Sequence, residues 1–450
     1  MPKVEIHLEI SVPSDNLDVN QIVALFQEVQ AQVGPALVTC YLEATQDLVL
    51  DQVLGPKWTD TPQGQAPWVC PECRSRQGFK RRGSRPRVLR KTSLGRVPFQ
   101  LRQVTCCRCG DTFSPFSEWL GLEPYQVSTT EFQAQAVKVA CQTSYARSVE
   151  HIYELGHVKV SATAVHGWAQ DKGKQVAFDV ERANGRSLLL DSTKVRAGDK
   201  KRGCQLNLGL SIQRRCWVNG RPQLKVYPVC FGVGESWSKT GQALAETRPA
   251  RIVFDGDEGL ITWLEDTFPD VPKQRALWHL VTQLYWPLWK DGLNKTQAKI
   301  WMGKLGKIVY HPQHRVQRSR TELEGLIAQL RQEGLSNAAG YLETAAPYVF
   351  TYRQHPDGMF FDERRLEPRA ISSTSPLERQ MREINRRTDV GVRWSVSGVQ
   401  NLIGLDLVRR FDSKQWQTLW HLPQRAPTSF SIVKMQVRVQ TEPTPNVKTT

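Results

Sequence analysis

The sequence of 450 residues predicts an α/β core that follows a cysteine-rich basic segment and a region of short helices. Three observations indicate this order. Short apolar strands, two of which end at an aspartate, begin near Arg186 and are followed by helices, as in an α/β domain. Two Cys-x-x-Cys pairs bracket residues with the alternation of a β-hairpin. Between these parts, residues 128–174 show helical spacing in three pieces.

The composition is that of a globular protein with a polyanionic partner. With 40% hydrophobic and 23% charged residues, the chain is neither disordered nor collagen-like. No run of ~18 apolar residues predicts a membrane span, and the N-terminus lacks the apolar core of a signal peptide. The formal net charge of +16 makes DNA or RNA the leading candidate partner.

The first 60 residues differ from the rest in charge, with nine acidic and two basic side chains. Alternation over Val4–Ile10 predicts a strand, and helical spacing predicts a helix from about Asp18 to Leu54. We expect residues 1–60 to form an α+β region that is a candidate for oligomerisation. At the other end, the Pro/Thr-rich residues 425–450 predict a loose tail.

A zinc ribbon is predicted for residues 61–120. Cys70, Cys73, Cys106 and Cys109 form two knuckles, and four thiolates satisfy a structural Zn²⁺ without leaving an open position. A redox pair or buried free thiols are the alternatives. Residues 74–108 hold twelve Lys/Arg and no acidic residue, which favours a DNA-contacting surface over a merely solvated face. The predicted contacts in this segment are Arg81, Arg82, Arg85, Arg87, Arg90 and Lys91.

Residues 121–175 have the outline of a helix-turn-helix. Two predicted helices, Tyr145–Leu155 and Ser161–Lys172, are joined by a short turn, and Ser161 is a candidate N-cap. In such a motif the first residues of the second helix enter the major groove, so Thr163 and His166 are expected near bases. Simple packing of two short helices is the alternative.

Two aspartates end short apolar runs. Asp191 follows Leu188–Leu190 and Asp255 follows Ile252–Phe254, so a parallel pair of these strands would bring both carboxylates to one sheet edge. Two close carboxylates repel each other unless cations lie between them, and a third would complete a two-Mg²⁺ site. Taken singly, either aspartate is better explained as a turn or a helix cap.

The third carboxylate is predicted in a helix that begins near Pro376. Glu378, Arg382 and Arg386 share one face of this helix, which suits a place where metal ions and phosphates meet. The spacing Ser375-x-x-Glu378 also fits a capping box, and the pattern alone does not separate the two interpretations.

Four segments carry longer motifs: Leu190-Asp-Ser-Thr-Lys-Val195, Asp255-Gly-Asp-Glu-Gly-Leu260, Gln274-Arg-Ala-Leu-Trp-His279 and Ser375-Pro-Leu-Glu-Arg-Gln-Met-Arg-Glu-Ile-Asn-Arg-Arg-Thr-Asp-Val-Gly391. Together they resemble the Mutator-like group of DDE transposases, in its bacterial insertion-sequence branch. The resemblance covers roughly residues 186–410. It implies an RNase H-like fold, catalytic Asp191, Asp255 and Glu378, two Mg²⁺ or Mn²⁺ ions per site, and a cytoplasmic, nucleoid-associated protein of a prokaryote.

The family pattern also implies a helical insertion between the second aspartate and the glutamate. The core is then expected in residues 180–275 and 371–424, with the insertion in residues 276–370. Family members carry a Cys-x-x-His motif after the second aspartate, and here Ala276 replaces the cysteine while His279 is kept. His279 is therefore a candidate phosphate or metal-site contact, or a buried structural histidine. Four arginines of the last motif are expected to hold DNA phosphates: Arg379, Arg382, Arg386 and Arg387.

The resulting prediction is a transposase that binds the double-stranded ends of an element, cleaves them and transfers the 3′-hydroxyl to target DNA. Pairing two ends implies a homodimer or a higher homo-oligomer. Two alternatives stay open: a non-catalytic, zinc-containing DNA-binding regulator, whose three acids would not converge, and an RNase H-like nuclease that needs no strand transfer.

Overall fold

The computed structural model describes residues 18–55, 66–199, 203–219, 221–311, 315–356, 360–362, 367–389 and 394–422. The strand predicted at residues 4–10 and the tail predicted at residues 425–450 lie outside these ranges. None of the helices within them combines the length and the apolar character that crossing a bilayer requires.

The N-terminal part contains a long helix and a small sheet. Its elements are α1 (Val19–Leu54), β1 (Phe79–Thr92), β2 (Gly95–Cys106), β3 (Thr112–Phe113) and α2 (Phe116–Trp119). The sheet has the order β1-β2-β3, with antiparallel pairing throughout. The strands β1–β3 and the two Cys-x-x-Cys turns are called the ribbon below. The hairpin that the sequence predicts between the two knuckles is therefore present.

Helix α1 covers the open edge of β2. Gln46 donates to the carbonyl of Gln100 and accepts from the amide of Arg102, and Glu43 accepts from the amide of Gln100. These bonds satisfy edge groups of β2 that have no strand partner. Apolar residues of α1 also pack on the ribbon core: Val38, Leu42, Val49, Leu50 and Val53. The acidic helix and the basic ribbon thus share one core.

Three helices follow the ribbon, as the sequence predicts: α3 (Thr130–Ala140), α4 (Tyr145–Gly156) and α5 (Ala162–Gly173). We call them the helix trio. Ser144 and Ser161 cap α4 and α5 by accepting backbone amides with their side chains. Such caps satisfy amides that the helix itself leaves unpaired.

A five-stranded mixed sheet forms the centre of the molecule. The elements of this part are β4 (Ser187–Val195), β5 (Cys204–Val218), β6 (Arg221–Val233), α6 (Trp237–Thr240), β7 (Arg251–Phe254), α7 (Glu258–Thr267) and β8 (Lys273–Arg275). The order is β6-β5-β4-β7-β8, with β4, β5 and β6 antiparallel and β4, β7 and β8 parallel. Asn219 has a positive φ of 50° where β5 turns into β6, as is common for asparagine in a tight hairpin.

Helices then dominate up to residue 354. They are α8 (Leu277–Gln283), α9 (Tyr285–Lys290), α10 (Lys295–Val309), α11 (Val316–Gln332), α12 (Ser336–Ala345) and α13 (Thr351–Gln354), followed by the strands β9 (Phe360–Asp362) and β10 (Glu367–Arg369). Most share a separate apolar core that includes Leu280, Leu305 and Leu330. Pro287 has no amide to donate to the carbonyl of Gln283, which is why the helix is interrupted between α8 and α9.

The last helices cover the central sheet. They are α14 (Ser375–Thr388), α15 (Val396–Phe411) and α16 (Ser413–Leu419). Leu377 and Ile384 of α14 pack with Leu189 and Val253 on one sheet face, while α6 and α7 cover the other face. Helices α15 and α16 also share a core with the helix trio. The sheet is therefore buried on both faces, as its continuous apolar strands require.

Candidate active site

Asp191 and Asp255 lie side by side at the centre of the sheet. The parallel register pairs Leu190 with Phe254, so the next residue of each chain segment is an aspartate. Side chains alternate along a strand, which puts both carboxylates on the sheet face of Leu189 and Val253. The pairing agrees with the prediction, but β4 does not end at Asp191. It continues to Val195 because β5 pairs along its whole length.

The electrostatic environment of these aspartates is unfavourable for two negative charges. Asp191 is buried, with 4% of its surface exposed, and accepts the amide of Ser192 at 2.8 Å. Burial, and after it the negative charge of Asp255, raises the pKa of Asp191 well above its usual range. Among the described residues, neither Lys nor Arg forms an ion pair with Asp191 or Asp255. Within this described part of the chain, the two carboxylates repel each other without an ion-paired lysine or arginine to neutralise them.

Glu378 reaches the same place from α14. Its Oε1 lies 3.3 Å from Nε2 of His279, and the same Nε2 lies 3.7 Å from Oδ2 of Asp191. The hydroxyl of Thr374 donates to Glu378 at 3.3 Å. The alternative of a capping box does not hold, because Ser375 lies inside the helix and Thr374, the N-cap, caps no amide with its side chain. Glu378 is thus turned toward the two aspartates.

A chain of polar groups fixes the orientation of His279. Arg275 donates to Oε1 of Gln283 at 2.9 Å, and Nε2 of Gln283 lies 3.3 Å from Nδ1 of His279. Since arginine only donates, the oxygen of Gln283 faces Arg275 and its amide group donates to Nδ1. The imidazole proton is then on Nε2, between Asp191 and Glu378. Burial and the charge of Arg275 lower the pKa of His279, against the opposing effect of Glu378, in agreement with a neutral ring.

The backbone after Asp255 leaves room for Arg275. Gly256 has a φ of 86°, and a Cβ at this position would lie 0.2 Å from Nη1 of Arg275, so only glycine fits. A cavity of about 300 Å³ opens next to it. Residues of α7, α9 and α12 contribute to its lining, among them Glu258, Lys290, Asn337 and Tyr341, and Tyr348 lines it from the turn after α12.

Sequence reasoning included Arg275 in a motif without giving it a role, and it missed Gln283 entirely. Arg275 is 2% exposed, which is rare for a cation without a carboxylate partner. Its guanidinium instead contacts Gln283, the hydroxyl of Tyr341 and the ring of Phe254. The sequence did contain one indication of this role: Arg275 stands four residues before His279, at the end of a strand.

The four predicted cysteine ligands form a second cluster. Their Sγ atoms all lie within 4.8 Å of one another, the one such group of potential metal ligands in the described part of the chain. Cys70 and Cys109 are 3.6 Å apart, and Cys73 and Cys106 are 3.5 Å apart. A tetrahedron with Zn–S bonds of about 2.3 Å has edges of roughly 3.8 Å, whereas a disulfide is about 2.05 Å long. The cluster therefore fits a bound metal ion and no disulfide.

The two knuckles of the ribbon are built alike. Four residues after the first cysteine of each knuckle stands a residue with positive φ, Arg74 at 58° and Gly110 at 79°. Glycine suits this place in the second turn, because it adopts a positive φ without strain. The amide of Cys109 is the largest cause that lowers the pKa of Cys106, to about 7, whereas burial and the other three thiols raise the pKa of Cys109 to about 12. A lower pKa favours the thiolate that a metal ion binds. Cys107 is exposed and outside the cluster.

The basic residues of the ribbon divide into two groups. Arg82, Arg85 and Arg90 are exposed. Arg81 instead pairs with Asp51 of α1, and Arg87 donates to the carbonyls of Glu123 and Gln126. The side chain of Lys91 lies over the ring of Trp168. The intramolecular bonds of Arg81 and Arg87 argue against a phosphate contact for these two.

The helix trio presents its predicted contacts to solvent. Thr163 and His166 are exposed on α5, while Val165 and Ala169 of the same helix are buried against its neighbours. The ring of His166 contacts that of Tyr145 at 5.2 Å. One face of α5 is thus free, and the other holds the trio on the central domain.

The four arginines predicted on α14 have two different environments. Arg379, Arg382 and Arg386 are exposed, and Arg386 pairs with Glu383. Arg387 is buried: it donates to the carbonyl of Ala140 and lies over two aromatic rings, those of Tyr145 and Trp394. This position joins α14 to the helix trio and argues against the predicted phosphate contact of Arg387.

Comparisons with known proteins add little to this geometry. No family model matches the chain, and no curated protein matches it. Among solved structures, the Drosophila P element transposase strand transfer complex matches over 68% of this chain and 86% of that chain. The identity is 12% and the TM-score is 0.27. A TM-score this low does not establish a shared fold, so the likeness carries no weight for the function of this chain.

Proposed function

We propose that the protein is a DDE transposase of the Mutator-like, bacterial insertion-sequence type. It binds the ends of a DNA element, cleaves one strand at each end and transfers the 3′-hydroxyl to target DNA. The observation that carries the proposal is the convergence of Asp191, Asp255 and Glu378 around His279. Three segments that are distant in sequence supply these acids, as the family motifs require.

The central sheet supports an RNase H-like core. Three antiparallel strands in sequence order are followed by two strands parallel to the first, in the spatial order β6-β5-β4-β7-β8. We infer from this order that the core is the RNase H-like one that the family resemblance implies. The helices between Leu277 and Gln354 correspond to the insertion that the family pattern implies, between the second aspartate and the glutamate.

Asp191, Asp255 and Glu378 would hold Mg²⁺ or Mn²⁺. The raised pKa of Asp191 supports this assignment, because cations relieve the repulsion of the two buried carboxylates. A site of two ions is what the family resemblance implies for three such carboxylates. When bound, the ions activate an attacking hydroxyl and stabilise the leaving oxygen of the phosphodiester.

The residues around the acids orient them and the DNA. Nε2 of His279 lies 3.3 Å from Glu378 and 3.7 Å from Asp191, and we assign to it the positioning of both carboxylates for the ions. Arg379 and Arg382 are exposed on the helix that carries Glu378. We assign them to the DNA phosphates on both sides of the scissile bond.

Recognition of the element ends is assigned to the ribbon and the helix trio. A structural Zn²⁺ on Cys70, Cys73, Cys106 and Cys109 would hold the two knuckles together. The exposed arginines Arg82, Arg85 and Arg90 would contact phosphates, and the exposed start of α5 would enter the major groove. The corresponding units are residues 61–120 and 121–175.

Pairing of two ends requires at least a homodimer, and we assign this contact to α1. Its first half exposes apolar side chains, among them Val19 (74%), Val23 (52%) and Phe26 (56%). Their exposure favours a role in association. Phe26→Glu should shift the protein toward monomer in light scattering, and an unchanged mass would contradict the assignment.

The proposal is tested with DNA from both flanks of the gene, purified protein and Mg²⁺ or Mn²⁺. Denaturing gels should show cleavage at defined positions and joined products. Glu378→Gln should abolish both, whereas Glu383→Gln, on the exposed side of the same helix, should leave both unchanged. Cleavage without joined products would favour the nuclease. Tight binding without cleavage under either ion would favour the DNA-binding regulator and contradict the transposase.

A further inference from the structure

Three tryptophans on α8 and α9 are exposed. Trp278 is 51% exposed, Trp286 61% and Trp289 59%. On the same two helices, one stripe is completely or nearly completely buried: Leu277, Leu280, Leu284 and Leu288. These leucines recur with the helical period, so the helices are already anchored in the core without the indoles. Trp301 of α10, by contrast, is buried.

The first of these exposed indoles, that of Trp278, lies close to the catalytic acids. The ring of Trp278 lies 5.0 Å from that of His279, whose Nε2 faces Glu378 at 3.3 Å. Farther along, the rings of Trp286 and Trp289 lie 6.5 Å apart, with Tyr285 against Trp286. Exposed aromatic rings thus occur both beside the acids, at Trp278, and farther along the chain on α9.

Exposed lysines follow these tryptophans in the sequence. Lys290 directly follows Trp289, is exposed, and lines the cavity beside Gly256. Lys295 and Lys299 at the start of α10 are exposed as well. Exposed aromatic rings next to cations are the chemistry by which proteins hold single-stranded nucleic acid, since bases stack on the rings and phosphates pair with the cations. A paired duplex hides the base faces, so this chemistry selects unpaired nucleotides.

We propose that Trp278, Trp286 and Trp289 form a stacking platform for unpaired nucleotides next to the phosphodiester that the carboxylates receive. This inference rests on the proposed DNA-cleaving function and adds to it a preference for melted or overhanging DNA. Lys290 neutralises the phosphates of the stacked strand. The platform binds the strand that has separated from the duplex, and it holds this strand close to Glu378 and His279.

The test measures binding rather than cleavage, in a Glu378→Gln background. Two fluorescent DNAs are compared, a fully paired flank duplex and the same duplex with four unpaired terminal nucleotides. We expect the second to bind about ten-fold more tightly, in line with the usual contribution of a stacked base. Trp278→Ala and Trp289→Ala should each remove most of this difference and leave affinity for the paired duplex unchanged. Replacement by Phe should restore part of it.

Trp119 supplies the matched control. It is 57% exposed but lies on α2 beside the ribbon, so Trp119→Ala should leave the preference intact. Equal affinities of the parent protein for the two DNAs would overturn the platform. So would an equal loss with both DNAs in the Trp278 and Trp289 variants, which would point to a general defect, or no loss at all, which would assign the indoles to a protein partner. A preference without cleavage by the unmodified protein would keep the platform and refute the transposase.

Discussion

The ribbon and the central sheet each bring potential metal ligands together, but they do so in opposite ways. The four cysteines come from two tight turns within residues 70–109 and enclose one position completely. The three acids come from β4, the end of β7 and α14, and only the packing of α14 on the sheet unites them. The cysteine cluster is therefore formed by local turns of the ribbon, whereas the cluster of acids depends on how distant elements pack.

The two centres also differ in what they do to stability. A thiolate cluster with its ion holds together a small sheet whose own core is limited. The carboxylates oppose folding, because burial and mutual repulsion raise the pKa of Asp191. The removal of one ligand should therefore have opposite consequences in the two regions, which makes the comparison testable.

The largest effect is expected for Asp191→Asn. Cleavage should fall by about 10³-fold or more, since a group that acts on the transition state is lost. Stability in the absence of metal ions should rise instead. A folded-state pKa above the unfolded value of about 3.9 means that the folded protein binds more protons, so the stability of the parent falls as the pH rises above 4. Asparagine removes this loss, and thermal unfolding at pH 4 and pH 7 would measure it.

Added Mg²⁺ sharpens this prediction. Ions that bind only the folded state raise the Tm of the parent protein, by the equivalent of about 2.7 kcal/mol at a hundred times the Kd. Asp191→Asn should lose most of this shift. An Mg²⁺ shift of equal size in both proteins would break the assignment of Asp191 as a ligand.

The next largest effect is expected in the ribbon. Cys73→Ser should lower the bound zinc below one per chain, expose the amides of β1 and β2 to hydrogen exchange and weaken DNA binding about ten- to a hundred-fold. Cys107→Ser is the matched control, because Cys107 is exposed and outside the cluster. Zinc analysis and hydrogen exchange give independent readings. Protection of the central strand β4 should not change, and a loss there would contradict the separation of the two centres.

The sequence predicted the ribbon better than the surroundings of the acids, for a physical reason. The knuckles, their turns and the hairpin are local, so the spacing of Cys70 to Cys109 carries nearly all of their geometry. The positions of Asp191 and Asp255 also followed from apolar strands. The extension of β4 to Val195 did not, because it depends on pairing with β5, which is a tertiary contact.

Charge patterns alone misjudged which cations are free. Arg387 has the same sequence surroundings as Arg386, yet only Arg387 points into the contact between α14 and the helix trio. Likewise, the acidic α1 provides the partner of Arg81, and a count of charges per segment does not reveal that the two segments touch. Whether a charged side chain is exposed or bonded within the protein depends on which elements pack together. This packing cannot be read from the charge pattern of a single sequence.

Gln283→Leu tests the orientation of His279 and should have an intermediate effect. Leucine keeps the approximate volume but neither accepts from Arg275 nor donates to Nδ1, so the proton is no longer fixed on Nε2. Cleavage should fall about 10- to 100-fold, as for other groups that orient metal ligands. Nitrogen NMR of His279 should show the Nε2–H form in the parent protein and a mixture in the variant. Thr282→Ala, one residue away, is the control.

The smallest effect is expected for a glutamine of α1 that covers the edge of the ribbon. Gln46 is fully buried and satisfies two edge groups of β2, the carbonyl of Gln100 and the amide of Arg102. Gln46→Ala leaves both without a partner, which should cost about 1–3 kcal/mol of the free energy of unfolding of the ribbon. Asp51→Asn removes only the half-exposed ion pair with Arg81 and should cost less than about 1 kcal/mol. If hydrogen exchange of β2 is equal in the two variants, α1 supports the ribbon by charge rather than by covering its edge.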